Sequence, residues 1–220
     1  ENLKTASRAL PDLRGMPCVF GIDFAKTQDF VAAALLFRRN GEYMAMHHSW
    51  VCKRSNDLPR IRAPLDEWEQ MGILEYVDDV EIHPSLVCDW IYEQMAEYDV
   101  LGGAIDFYRH TTFMRALDEI GFSAKEKTVK LARPSDLMQV QPVINSAFLN
   151  GTIAWGEDPM MRWYTNNVKL VASAHGNYSY EKIEPKSRKT DGFMALAAAF
   201  TASDQLPETS EIEFMAPLTF

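Results

Sequence analysis

The stretch Pro17-Cys18-Val19-Phe20-Gly21-Ile22-Asp23 decides the predicted fold, because an apolar run leads directly into an aspartate. Such a run predicts a strand buried inside a sheet, so the carboxylate at its end lies in or near the core. A buried carboxylate is costly unless a hydrogen bond, a cation or a metal ion compensates it. Asp23 is therefore either a capping or turn residue or a member of a functional site.

Two further aspartates stand at the ends of predicted elements. The apolar segment 100–105 runs into Asp106, and Lys189-Thr190-Asp191 opens a very apolar helix. Carboxylate oxygens are the ligands that hard divalent cations prefer. Three aspartates at the ends of predicted strands and at the start of a predicted helix therefore indicate a candidate metal site.

Length and composition are those of a globular domain with a sizeable core. The chain has 220 residues, of which 47% are hydrophobic and 24% charged. No apolar run approaches the roughly 20 residues of a membrane span, so no membrane partner is expected. The sequence begins with Glu1 rather than Met, and we expect a processed chain or an excised fragment. Three widely spaced cysteines favour reduced thiols in a cytoplasm.

The charge balance is acidic overall but uneven along the chain. A net charge of −9 argues against a nucleic-acid binder as a whole. Basic residues nevertheless cluster in the second half, at Lys125, Lys127, Lys130, Arg133, Arg162, Lys169, Lys182, Lys186, Arg188 and Lys189. Lys186, Arg188 and Lys189 precede Asp191, which makes them the predicted contacts to a DNA backbone. The binding should be weak and sensitive to salt.

Hydrophobic periodicity predicts a mixed sheet. Apolar runs over 16–24, 29–37 and 43–51 predict three strands, and Asn40-Gly41 predicts a hairpin between the second and third. A helix over 84–98 leads into a fourth strand over 100–107, which a helical crossover places parallel to the first. The remaining predictions are helices over 65–71, 111–120, 137–148 and 190–202, and strands over 125–131 and 178–183, with Pro142 starting, kinking or splitting its helix.

This order of elements is that of the α/β ribonuclease H-like fold, with a three-strand antiparallel meander and parallel strands flanked by helices. In that fold, acidic residues sit on the first strand, the fourth strand and the last helix, where Asp23, Asp106 and Asp191 fall. We expect three parts: a lead-in segment (1–15), a ribonuclease H-like domain (16–202) and an acidic, flexible tail (203–220).

Phosphodiester hydrolysis requires an activated water and charge stabilisation on both the attacking and the leaving oxygen. Two Mg²⁺ or Mn²⁺ ions about 4 Å apart meet both needs. Asp23 is the predicted bridging ligand, and Asp106 and Asp191 would each hold one ion. Lys189 either orients water or contacts phosphate, or is a solvated surface lysine. Asp29 is an auxiliary candidate.

Competing sites have weaker support. The sequence lacks a GxxxxGK[ST] loop, so it holds no P-loop ATPase. The stretch 21–27 is similar to the phosphate loop of actin-like and sugar-kinase ATPases, but that loop requires a glycine where Ala25 stands. His47-His48 lacks the further ligands of a zinc site.

Several ordered motifs resemble the nuclease domain of the large terminase subunit of tailed bacteriophages, over about residues 15–202. They are PCVFGIDFA (17–25) followed by DFVA (29–32), YDV (98–100) leading to Asp106, MRWYTNNV (161–168) and KSRKTDGFMAL (186–196). The resemblance implies metal-dependent, largely sequence-nonspecific cleavage of double-stranded concatemeric DNA during genome packaging in the host cytoplasm. It assigns Asp23, Asp106 and Asp191 as metal ligands.

The same resemblance implies partners: double-stranded DNA, a packaging ATPase domain, the portal, the small terminase subunit and the capsid. Since no ATPase motif is present, we expect this chain to cut DNA but not to translocate it. Two alternatives stay open. One is another ribonuclease H-like nuclease, such as a Holliday-junction resolvase or a transposase-like enzyme. The other is a non-catalytic docking module of the packaging machinery in which the aspartates are structural.

Overall fold

The structure of the chain, a computed structural model, describes residues 6–24, 29–107, 110–172 and 178–207. Parts of the predicted motifs and segments lie outside these ranges. They are residue 25 of the first motif, residues 25–27 of the stretch compared with ATPase phosphate loops, 1–5 of the lead-in segment and 208–220 of the tail.

Strands and helices alternate along the second half of the described chain. The strands are β1 (Pro17–Asp23), β2 (Phe30–Arg39), β3 (Glu42–Cys52), β4 (Leu74–Val77), β5 (Asp99–Asp106), β6 (Val129–Ala132), β7 (Ile153–Ala154), β8 (Val168–Ala172) and β9 (Tyr178–Lys182). The α-helices are α1 (Leu65–Gln70), α2 (Pro84–Gln94), α3 (His110–Glu119), α4 (Pro134–Leu149), α5 (Pro159–Asn166) and α6 (Asp191–Thr201). Short 3₁₀ turns cover Leu58–Arg60 and Ser203–Gln205.

The main sheet mixes antiparallel and parallel strands. Its order is β4-β3-β2-β1-β5-β6, with β7 paired to β3. The ladders β1–β2 and β2–β3 are antiparallel, whereas β1–β5, β5–β6 and β3–β4 are parallel. The predicted ribonuclease H-like arrangement, a meander followed by parallel strands, is therefore confirmed.

Helices cover both faces of this sheet. One face packs against α1, α4, α5 and α6, and the other against α2 and α3. Strands buried on both faces are apolar at successive positions rather than alternating. This explains why β2 is buried continuously from Phe30 to Phe37.

Several features differ from the sequence-based expectations, and helix α5 and strand β8 are among the elements that were not predicted. The edge strands β4 and β7 were not predicted, because they are two to four residues long and carry no alternating pattern. Helix α4 begins at Pro134 and continues past Pro142, which therefore neither starts nor splits it; Ile144 and Ala147 beyond the proline are buried in the core. The predicted strand over 178–183 is present as β9, which among the described residues pairs with β8 in a separate two-stranded sheet.

In the described part of the chain, no helix combines the length and the hydrophobicity that crossing a bilayer requires.

Helix α6 lies against β1 at a distance that only glycine permits. A Cβ atom on Gly21 would lie 2.0 Å from the carbonyl oxygen of Ala195 and 2.3 Å from the backbone nitrogen of Ala199. Both are backbone atoms, so no side-chain rotation relieves the overlap. The position of α6 over β1 therefore depends on the missing side chain.

We predict that Gly21→Ala lowers the free energy of unfolding by about 1–3 kcal/mol or more, because α6 has to move off the sheet. Denaturant unfolding followed by circular dichroism measures the change. In the control Gly41→Ala, the added methyl group meets no atom within 4 Å, and only the backbone strain of φ +79° is added. Equal losses for the two variants would contradict the role of close packing at Gly21.

Candidate active site

Asp23 is buried on the face of the sheet that α6 covers. Side chains alternate along β1, so that Val19 lies in the core beneath α6 and Ile22 in the opposite core. Asp23 and Gly21 therefore share the α6 face. The carboxylate of Asp23 is deeply placed, since the residue is 7% exposed.

Asp106 lies beside Asp23 on the adjacent strand. In the parallel β1–β5 ladder Ile22 pairs with Ile105, and the two aspartates follow at the next position of each strand. Neighbouring strands are about 4.8 Å apart. Ala104 belongs to the core beneath α6, so Asp106, two residues later, points to that face as well.

Asp191 completes the group from above the sheet. It is the first residue of α6 and is 2% exposed. The backbone amide of Thr190 donates a hydrogen bond to its Oδ2 at 3.2 Å. The contact between Gly21 and Ala195 lies one helical turn further along α6, which brings Asp191 over the end of β1. The three predicted ligands thus lie near one another, at the carboxyl ends of β1 and β5 and beneath the start of α6.

The environment disfavours ionisation of this cluster. Burial raises the pKa of Asp23 well above its usual range, and the carboxylates of Asp191 and Asp106 raise it further. Burial also raises the pKa of Asp191. The ammonium group of Lys182 opposes both shifts. Like-charged carboxylates brought together without water are stabilised by a cation.

The donor set suits a hard cation, although its oxygens do not converge as they stand. Among residues 6–24, 29–107, 110–172 and 178–207, no three His, Cys, Asp or Glu side chains are arranged to hold an ion. Aspartate oxygens are nevertheless the ligands that Mg²⁺ and Mn²⁺ take, and Mg²⁺ needs only a few because it keeps waters. Asp23, Asp106 and Asp191 are the residues that would hold it.

Lys189 has a different position from the one predicted for a DNA contact. Its side chain is 1% exposed, and its Nζ donates to Asp29 and to Asp57, each at 2.7 Å. Burial by itself would lower the pKa of Lys189, but these hydrogen bonds outweigh it, so the pKa lies above its usual value. Lys189 is therefore a buried cross-link and does not face solvent or DNA.

Asp29 is the partner of this lysine. Its carboxylate also accepts a hydrogen bond from Ser55 Oγ at 3.3 Å. Through its ion pair with Lys189, Asp29 holds the segment before α6 against the start of β2. This arrangement argues against the predicted auxiliary metal role of Asp29, since its oxygens already serve Lys189 and Ser55.

The other two predicted DNA contacts lie on the surface. Lys186 and Arg188 are both exposed. Arg188 lines an open groove of about 480 Å³, together with Arg60, Arg62, Trp163, Asn166, Asn167, Glu184 and Ser187. Three arginines give this groove a basic lining a few residues from Asp191. We call it the arginine groove.

A buried hydrogen-bond chain supports the start of α6. His47 Nδ1 contacts the carboxylate of Asp158, and its Nε2 lies 3.1 Å from Ser49 Oγ. Ser49 Oγ in turn lies 2.9 Å from Tyr164 Oη. The ring of Tyr164 packs so closely on Gly192 that a Cβ atom there would lie 2.4 Å from its Cδ2. His47, considered from the sequence only as a zinc ligand, thus belongs to a structural network.

Sequence reasoning missed Lys182. Its Nζ lies 3.9 Å from Asp191 Oδ2, at the end of β9. The sequence offered no signal beyond a place among the basic residues of the second half, because only the pairing of β8 with β9 sets this lysine beside the aspartates.

We predict that Asp23→Asn stabilises the metal-free protein by about 1 kcal/mol or more near neutral pH, because it removes a buried charge. The folded-state pKa of Asp23 is raised, so its carboxylate destabilises the fold at pH values above that pKa. The advantage of the variant should therefore shrink as the pH falls through the raised pKa, and vanish below about 3.9, the unfolded value. Denaturant unfolding in chelator at several pH values measures it.

The exposed Asp118 provides the control. Asp118→Asn should leave the free energy of unfolding within about 0.5 kcal/mol of the parent value at each pH. A destabilised Asp23→Asn variant at neutral pH would contradict the described burial of the carboxylate.

Comparison with known proteins places these features in context. No protein family model matches the chain. The large terminase subunit of Enterobacteria phage HK97 is 27% identical over 144 residues, which cover 65% of this chain and 28% of that protein. The chain therefore spans about a quarter of the length of this curated relative.

Solved structures share the fold. The crystal structure of the HK97 large terminase superposes with a TM-score of 0.78 at 20% identity, over 91% of this chain and 42% of the other. The large terminase nuclease of the thermophilic phage G20c gives a TM-score of 0.60 at 14% identity, over 94% and 97%. Structures of that nuclease with bound magnesium and with bound cobalt give 0.56 and 0.55. The predicted resemblance is thus confirmed: the chain is related in sequence to a phage large terminase subunit and has the fold of large terminase nuclease domains.

Proposed function

We propose that the chain is a metal-dependent endonuclease that hydrolyses phosphodiester bonds of double-stranded DNA. The observation that carries this proposal is the position of Asp23 and Asp106 at the neighbouring carboxyl ends of β1 and β5, with Asp191 at the start of α6 close enough to raise the pKa of Asp23. Buried carboxylates with raised pKa values at the end of parallel strands are typical of functional sites. The related terminase subunit and the nuclease folds support the same conclusion.

The divalent cations proposed for this site, two Mg²⁺ or Mn²⁺ ions, would supply water activation and charge neutralisation at the scissile phosphate. Asp23 is close enough to both other aspartates for each to raise its pKa, and it would hold the ions from β1. Asp106 and Asp191 would complete the site from β5 and α6. That G20c nuclease structures contain magnesium or cobalt supports a divalent ion here.

The remaining residues of this region hold the site in place. The pairs of Lys189 with Asp29 and Asp57 fix the segment that leads into Asp191. The network from Asp158 to Tyr164 supports the first turn of α6. Rigid support of this kind keeps carboxylates in position when no ion compensates them.

We propose that DNA approaches along the arginine groove. Arg60, Arg62 and Arg188 offer planar guanidinium groups, which suit phosphate oxygens. Lys186, two residues before Arg188 in the chain, adds an exposed ammonium group. The net charge of −9 opposes long-range attraction, so binding depends on this local surface. As part of a packaging machine in the host cytoplasm, the chain would act with an ATPase domain, a portal, a small terminase subunit and a capsid.

The cleavage test uses supercoiled plasmid with Mn²⁺ or Mg²⁺. We predict that the parent protein nicks and linearises the plasmid. Asp23→Asn, Asp106→Asn and Asp191→Asn should each reduce the rate about 100-fold or more, because each removes a metal ligand. Asp118→Asn should cut like the parent. Full activity of the Asp23→Asn variant would overturn the proposed function.

A second measurement tests the proposed DNA surface. Lys186→Gln should weaken binding to a duplex several-fold, independently of sequence, and lower the slope of log K against log[salt] by about 1. Fluorescence anisotropy in chelator measures binding without cleavage. Lys125→Gln is the control. Lys125 is exposed and precedes β6, so it lies towards the amino ends of the parallel strands, whereas the aspartates lie at their carboxyl ends. Equal effects of the two substitutions would contradict the assigned surface.

A further inference from the structure

Lys182 is a positively charged residue placed beside the buried aspartates. Its Nζ lies 3.9 Å from Asp191 Oδ2. The Asp191 side chain is 3% exposed, whereas that of Lys182 is 33% exposed. Lys182 is therefore partly open to solvent, whereas the carboxylate that it contacts is buried.

The backbone at Lys182 is tied to the segment that carries Asp191. Val168 and Lys182 are partners in the β8–β9 ladder. At the base of this hairpin, the amide of Ile183 donates to the carbonyl oxygen of Asn167 at 2.9 Å. The side-chain Nδ2 of Asn167 donates to the carbonyl oxygen of Lys189 at 2.8 Å. Asn167 thus links the end of β9 to a residue two positions before Asp191.

The charge of Lys182 has one evident effect in the metal-free protein. It is the cation that most lowers the pKa of both Asp23 and Asp191, against the effect of burial. Lys189 is also close, but its ammonium group is already hydrogen-bonded to Asp29 and Asp57. A divalent cation bound to the same carboxylates would do what Lys182 does. The two positive charges would also repel each other.

We propose that Lys182 stands in for a divalent cation beside Asp191 in the metal-free protein and is displaced when the metal binds. This inference rests on the proposed function, because it assumes that the three aspartates hold a metal. Lysine has a long, flexible stem, so its head can leave Asp191 while the hairpin backbone stays in place. Displacement would turn the ammonium group towards solvent.

Competition of this kind has two consequences of opposite sign. Without Lys182 the metal-free protein loses the cation that compensates its buried carboxylates, so it becomes less stable. The metal then meets no competitor, so it binds more tightly. A lysine that is only structural would produce the first effect without the second, since metal affinity would then fall or stay unchanged.

The test compares Lys182→Gln with the parent and with Lys169→Gln. Lys169 occupies the neighbouring position of the same hairpin, points to the opposite face and pairs with Glu181 at 3.2 Å. Isothermal titration calorimetry with Mn²⁺ gives the dissociation constant, and thermal unfolding in chelator gives the metal-free stability. We expect Lys182→Gln to lower the melting temperature and to tighten Mn²⁺ binding about fivefold or more. Lys169→Gln should leave the dissociation constant unchanged.

Two further variants complete the test. Lys182→Arg keeps the positive charge and should bind Mn²⁺ like the parent. Lys182→Met removes the charge with an apolar side chain and provides the second neutral variant if Lys182→Gln does not fold.

The outcomes separate the inference from the proposed function. Unchanged or weaker Mn²⁺ binding in the neutral variants, with a parent that binds Mn²⁺ and cuts DNA, would overturn the role of Lys182 alone. An equal gain in Lys169→Gln would also overturn it, because a general loss of charge would then explain the effect. A parent that binds no Mn²⁺ would overturn both the inference and the metal site.

Discussion

The close contact between β1 and α6 is the constraint on which the rest of the structure depends. Gly21 offers no side chain, so the backbone of α6 at Ala195 and Ala199 lies directly on the strand. This contact sets the height of the helix above the sheet and places its first residue, Asp191, over the end of β1. A larger residue at position 21 would separate two of the three carboxylates that form the candidate site.

The same contact buries two carboxylates close together, and two lysines with different positions lie in this region. Packing α6 closely on the sheet buries Asp23 and Asp191 together, which disfavours the charged form of both. Lys182, which is partly exposed, lowers the pKa of both, and we propose that a divalent cation displaces it. Lys189 is sealed between Asp29 and Asp57 and holds the segment before α6.

Much of the fold follows from local sequence patterns. Uninterrupted apolar runs indicated β1 and β2, Asn40-Gly41 indicated the hairpin, and an apolar helix after Asp191 indicated α6. The edge strands β4 and β7 were missed because short strands depend on pairing with a distant neighbour rather than on their own periodicity. The burial of Lys189 was missed for a related reason. A buried lysine requires carboxylate partners, and here they come from distant parts of the chain that composition does not identify.

By itself, the sequence determined which residue types end the key elements: aspartates at 23, 106 and 191, each next to an apolar segment that has to be buried. A hydrophobic pattern depends on residues that are close together in the chain, so it can be recognised from the sequence alone. Only the tertiary structure decided that Lys182 faces these aspartates, that Lys189 is closed off from solvent and that Asp29 is its partner. These facts arise from contacts between segments as much as 160 residues apart, where strand register and helix packing choose the neighbours.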